Sequence, residues 1–385
     1  MSGCRGAEPR IESLYLFRKT TVTAHVIAYD TANPGDVSDF SRNLARFEPA
    51  RIRKLALLVK TEGNSDVNDF SREFALLSLT AAIEAHGGKA LAERSTFLIS
   101  TGCEGAMTPF GYLFVDTEDE AGKPGAAAKA GQGSALAFGC ARSRSLTPEE
   151  IGTPAHAVIV AETVEAAMRE AGVTPADVAL VIVKTPVTSH IPATAGAVRN
   201  TRVTSAHSKA VGALGAGLAL GEVPRERIVQ EAFNTDHSLH ARRAMVFSGA
   251  ELDCVEIMLL ANRPGAAGDL SVHTGFLRDV LDARGLRDMY TAAGCTFDAD
   301  GQVANAERVV ATLIKAGAAP DGKVRGVRTT MKSSHLDMDK HVRAAMSGII
   351  GSILGSTRTF ISANTVHQAP PGGGLCACIV RKASS

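Results

Sequence analysis

LALLVKTEG (residues 55–63) and VALVIVKTPV (residues 178–187) nearly repeat one another in separate parts of the chain. Each is a short run of Leu, Val, Ile and Ala that closes on lysine and threonine, the composition of a buried β-strand. A cation carried into an apolar interior is costly unless it is paired or gives up its proton. Lys60 and Lys184 therefore stand where a chain does not place lysine without a reason.

Outward from these strands, one order of parts recurs. The strand ending at Lys60 is followed by an amphipathic helix, SREFALLSLTAAIEAHGG (71–88), and by a strand, TFLISTGCEG (96–105), that carries Ser100. The second block opens with a strand, SALAFGCARS (134–143), and a helix, TPEEIGTPAHAVIVAETVEAAMREAG (147–172). Thr147 and Glu150 form a capping box at that helix's start, and Gly172 suits the position past its end. The strand ending at Lys184, the small-residue helix HSKAVGALGAGLALGEV (207–223) and the strand AMVFSGAE (244–251) with Ser248 complete the block. The third block runs VVATLIKAG (309–317, Lys315), DKHVRAAMSGIIGSILGS (339–356) and TFISANTVHQ (359–368, Ser362). Lys332 competes there with Lys315 for the equivalent place. Small and polar stretches divide the chain into repeating unit A (1–119), a linker (120–133), unit B (134–262), a linker (263–268) and unit C (269–385). Helices recurring between strands predict an α/β fold of three similar repeating units meeting at a shared centre.

Composition excludes several classes. The 385 residues are 45% hydrophobic and 21% charged, with a net charge of +1 and both signs evenly spread. No basic patch for nucleic acid or an acidic membrane results, and without Trp there is no base-stacking platform. The odd, scattered cysteines (Cys4, Cys103, Cys140, Cys254, Cys295, Cys376, Cys378) suit reduced thiols, and the N-terminus lacks an apolar signal core. A cytoplasmic protein is expected. Cys376 and Cys378 lie in an apolar run, LCACIV, that reads as strand packing. His237 and His240 lack a third ligand at suitable spacing, and the glycines of GALGAGLALG do not follow a strand as a dinucleotide fingerprint requires. No cofactor and no metal are expected.

The recurrent pair is the chemical signal. Burial, or a second cation nearby, lowers a lysine's pKa and frees its amine to act as a base. A serine within hydrogen-bond reach of that amine becomes a nucleophile. After an apolar strand, SGAE also offers backbone N–H groups beside its serine, where an oxyanion could sit.

KTEGN and VNDFSRE (60–73), STGCEG (100–105), VKTP (183–186), SGAELD (248–253), PDGKVRGVR (320–328) and HQAPPGGG (367–374) resemble the ring-opening amidohydrolases, the cyanuric acid amidohydrolase/barbiturase family. The resemblance begins near AYDTANPGD (28–36) and runs to the C-terminus. It implies three units about a pseudo-threefold axis, hydrolytic opening of a six-membered cyclic imide or triazine, and a homotetramer. By position it implies Lys184 as the base activating Ser248, the catalytic pair. Ser100 and Ser362 would hold the other ring carbonyls, with Thr101, Gly249 and Ala363 beside the serines, and Lys60 and Lys315 would support the base. A helix-borne arginine of each unit would face the substrate; the positions here read Arg72, Lys209 and Lys340, with Arg343 one turn beyond. Lysine is a point charge where arginine is a planar fork, so the substrate need be neither cyanuric nor barbituric acid. Where the resemblance puts an acidic metal ligand, the chain has Gly317. A non-catalytic member that binds a small cyclic ligand is the alternative reading.

Overall fold

In each of the repeated strands, apolar side chains point both ways, and this two-sidedness builds the architecture. The computed structural model describes residues 21–64, 69–119, 133–188 and 203–383. The first unit comprises β1 (Thr21–Asp30), α1 (Ser38–Leu44), β2 (Ile52–Thr61), α2 (Ser71–Gly87), α3 (Lys89–Glu93), β3 (Thr96–Thr101) and β4 (Phe110–Asp119). The second comprises β5 (Ser134–Arg142), α4 (Pro154–Ala171), β6 (Val178–Pro186), α5 (Ser205–Ala219), β7 (Ala244–Gly249) and β8 (Glu256–Pro264). The third comprises β9 (Leu270–Leu277), α6 (Ala283–Ala292), β10 (Val309–Ala316), a small hairpin of β11 (Lys323–Val324) and β12 (Val327–Arg328), α7 (Met338–Leu354), β13 (Phe360–Ala363) and β14 (Gly374–Arg381).

One sheet topology occurs three times, in the orders β1-β4-β2-β3, β5-β8-β6-β7 and β9-β14-β10-β13. In each sheet the first and second strands are antiparallel to the fourth, and the second runs parallel to the third across a helix. The second and third strands are buried on both faces, which explains their near-continuous apolar runs. Ala56, Leu58, Leu180, Ile182, Ala311 and Leu313 face one core shared by all three sheets. The alternating residues Leu57, Val59, Val181, Val183 and Ile314 face the separate helix-side cores of their own units.

Two expectations shift. The helix expected from residue 147 begins at Pro154, because Gly152 takes φ +83° and Thr153 then caps the helix by accepting from His156 N–H. Glu150 still accepts from Thr147 N–H, but within the preceding turn. Gly172 closes the helix in the left-handed conformation, as expected. The strand β8 also runs to Pro264, into the stretch read as the second linker; the first linker lies outside the described residues apart from Gly133. No helix of the described residues is long and apolar enough to cross a membrane.

The glycines of α5 serve close packing. A methyl at Gly215 would stand 2.4 Å from the Ala157 carbonyl oxygen and 2.7 Å from Val160 Cβ in α4. Gly215→Ala is therefore expected to cost about 1–3 kcal/mol, read as a lower denaturation midpoint at an unchanged m-value.

Candidate active site

Strand periodicity places the lysines. Counting by twos from Leu58, Ile182 and Leu313, the side chains of Lys60, Lys184 and Lys315 fall on the face that looks into the shared core, and all three are fully buried. Lys60 lies opposite Ser100 in the β2/β3 ladder, and Lys315 lies opposite Ser362 in the β10/β13 ladder. Lys60 Nζ is 3.2 Å from Ser100 Oγ and donates to the Thr101 carbonyl at 3.0 Å. Lys315 Nζ is 2.9 Å from Ser362 Oγ and donates to the carbonyls of Ala363 at 2.7 Å and Val246 at 2.6 Å. Lys332, the competing candidate, instead donates to the Pro320 carbonyl at the surface.

The second unit breaks the pattern by one residue. Lys184 lies opposite Phe247, and Ser248 lies opposite Thr185. Met245 and Phe247 face the shared core, whereas Val246 packs on the helix side, so Ser248 falls on the helix side as well. Its Oγ sits 2.7 Å from Ser205 Oγ at the start of α5. The equivalence drawn from sequence between Ser248 and the other two serines is therefore corrected: Phe247 holds the third serine's place. Lys184 Nζ donates to the Ile99 carbonyl at 2.7 Å, lies 2.5 Å from Glu251 Oε1, and stands 5.5 Å from the centre of the Phe247 ring. Thr101 and Ala363 share Ser248's outward position. Thr101 Oγ1 approaches Ser71 and Asp69, and Ala363 joins the helix-side core, so only their carbonyls reach the lysines.

Around the lysines lies a ring of charges from the crossover helices. Arg72 of α2 reaches across to Glu251 at 2.9 Å, and Arg343 of α7 grips Glu104 with Nη2 to Oε1 at 2.6 Å. Arg343, not Lys340, thus matches Arg72; Lys340 is half-buried outside this pairing. Among the described residues, the ion-pair partner of Lys209 of α5 is Asp339, at 3.9 Å. Gly249 admits the Glu251 carboxylate, which would stand 2.1 Å from a Cβ placed there. Glu104, Glu251 and Phe247 are the site residues that sequence reasoning did not single out, although STGCEG and SGAELD contained the two acids.

Burial, reinforced by the Arg343 charge, pulls Lys60 down to about 7. Burial also lowers Lys315, assisted by Lys209, and lowers Lys184 although Glu251 pulls it up. Glu251 is itself buried, which opposes its charge, yet Lys184 and Arg72 outweigh that and hold its carboxyl below the usual range. A serine beside an amine that loses its proton near neutrality can be deprotonated as it attacks an electrophile. Cations outnumber carboxylates here, so negative charge developing on a bound molecule is stabilised.

The chain matches the family described as amidohydrolase ring-opening protein over residues 25–381. It belongs to the ring-opening amidohydrolases. A cyclic amide hydrolase of Azorhizobium caulinodans is 35% identical, covering 90% of this chain and 96% of that protein. A cyanuric acid amidohydrolase of a Bradyrhizobium species is 36% identical over 93% and 98% of the two chains. A solved cyanuric acid hydrolase, described as an evolutionary innovation by structural concatenation, superposes with a TM-score of 0.83 at 31% identity, over 94% of this chain and all of the other. Concatenation agrees with a sheet repeated three times. Within this ring-opening amidohydrolase, the first and third units each hold a Lys–Ser contact, and the second sets an aromatic ring at the equivalent place. Among the described residues no cluster of three His, Cys, Asp or Glu is disposed to hold a metal. A Cβ at Gly317 would meet Thr365 Oγ1 at 1.9 Å, so a carboxylate could not be seated there without local movement.

Proposed function

We propose that the chain opens the ring of a cyclic imide by hydrolysis, through Ser–Lys nucleophilic attack. What carries this reading is Lys60, drawn down to about 7 and 3.2 Å from Ser100 Oγ, in a chain whose relatives include proteins named cyclic amide hydrolase and cyanuric acid amidohydrolase. Because Ser248 faces away from Lys184 and bonds Ser205, the preferred pair is Lys60–Ser100 rather than Lys184–Ser248. Ser100 Oγ attacks a ring carbonyl and its proton passes to Lys60 Nζ. The oxyanion forms among the buried cations, and collapse breaks the ring C–N bond as Lys60 returns the proton to nitrogen. Water then hydrolyses the Ser100 ester, leaving an open-chain carboxylate and free serine. Ser362, held by Lys315, hydrogen-bonds a second carbonyl, and the Lys184–Glu251–Arg72 cluster keeps a fixed positive charge at the third side. A binding-only reading has less support, because a ligand carrier needs no neutral lysine beside a serine.

The test is loss of ring substrate, followed by chromatography, for the purified protein against six-membered and five-membered cyclic imides, hydantoins and triazine triones. Consumption of one class with release of the open-chain acid sustains the reading; a folded protein that consumes none sinks it. The homotetramer implied by the resemblance belongs to the same reading. Phe70, Phe74 and Leu77 expose an apolar stripe along α2 suited to a subunit contact, and light scattering decides the mass.

A further inference from the structure

The centre has three walls built on one plan, and one of them lacks its hydroxyl. At the places where Ser100 and Ser362 turn hydroxyl groups inward, Phe247 turns a phenyl ring inward, buried and 5.7 Å from the ring of Phe360. Phe360 in turn lies under Lys60 Nζ at 5.6 Å. The hydroxyl of the next residue, Ser248, is on the opposite face of the strand and engaged with Ser205. The cations of that wall, Lys184 and Arg72, are drawn into contact with Glu251. The second unit therefore offers an apolar surface where its two counterparts offer hydrogen-bond donors.

We propose that Phe247 sets substrate class: the site takes a cyclic imide with two carbonyls, facing Ser100 and Ser362, and a hydrocarbon edge against the Phe247 ring. This rests on the ring-opening reading. A trione presents a carbonyl to every wall, and the one facing Phe247 would leave water for a phenyl ring, with Lys184 beside it already engaged by the Ile99 carbonyl and Glu251. That loss disfavours a trione by roughly 10- to 100-fold against a ring with methylene groups on that side. The same contact rewards the hydrocarbon edge, since apolar surface leaves water on binding.

The experiment compares kcat/KM, and binding by thermal shift, for glutarimide against barbituric and cyanuric acids. The wild type, Phe247→Ser and Phe247→Leu are each checked for folding by circular dichroism. Glutarimide favoured at least about tenfold by the wild type and by Phe247→Leu, with the preference falling by a comparable factor in Phe247→Ser, is the expected result. If Phe247→Ser does not fold, the wild-type and Phe247→Leu preferences decide. A wild type that opens the triones as well as, or better than, glutarimide overturns the role of Phe247 and leaves the ring-opening reading intact. A wild type that neither opens nor is stabilised by any of the rings overturns both.

Discussion

Ser100→Ala and Lys60→Ala are each expected to lower kcat/KM by at least about 10³-fold, because the nucleophile and its base act as a unit. Ser248→Ala, altering a hydroxyl bonded to Ser205 behind the strand, should stay within a few fold of the wild type. The pH profile supplies an independent check. The base works only as the neutral amine, so kcat/KM should climb as pH rises through about 7, where Lys60 loses its proton, and level off above. Above about pH 7, where Lys60 has lost its proton, Lys60→Ala removes no stabilising charge, so the variant should fold. Activity that survives in Ser100→Ala and vanishes in Ser248→Ala would return the nucleophile to the second unit and refute the register argument.

Glu251→Ala should be the most destabilising single change at the centre, by about 3–5 kcal/mol. The carboxylate lies 2.5 Å from Lys184 Nζ and 2.9 Å from Arg72 Nε, and all three side chains are buried. These are charge contacts rather than well-aligned hydrogen bonds, so removing the anion leaves two buried cations, with the Ile99 carbonyl as Lys184's remaining acceptor. Chemical denaturation measures the loss. Adding Lys184→Met to Glu251→Ala should recover part of it, because one orphaned charge goes with it. A Glu251→Ala protein as stable as the wild type would mean that Lys184 is neutral in the fold and that the pair is no ion pair.

Much of the fold was legible because each central strand must be apolar on both faces, so the lysines closing LALLVK and VALVIVK stand out against their runs. The repeat order followed from those strands and the serine strands after them. The register of β7 was not legible in the same way, because a serine catches attention whichever face it occupies. Lining up Gly102 and Glu104 with Gly249 and Glu251 would have set Ser100 against Phe247 and exposed the exchange. Arg72 and Arg343 were readable as helix-borne cations, but their partners Glu251 and Glu104 come from neighbouring units, and no spacing within one unit encodes such a contact. The start of α4 was misplaced because a capping pair, Thr147 and Glu150, also suits a turn, and the backbone requirement at Gly152 overrode it.

Two of the three lysines bond beyond their own units. Lys184 donates to the Ile99 carbonyl of the first unit, Lys315 to the Val246 carbonyl of the second, and Gln368 of the third accepts from Val246 N–H at 2.7 Å. Lys184 thus finds its backbone acceptor, and Lys315 one of its acceptors, only after a neighbouring repeat has docked. Polypeptides cut at the repeat boundaries should be inert singly and in pairs, and should regain function together only when every piece is present. The chemistry is in this sense a checkpoint on assembly: with the third repeat undocked, Lys60 loses the Arg343 charge that helps to lower it and the Phe360 ring beside it, and Ser100 is left without a competent base.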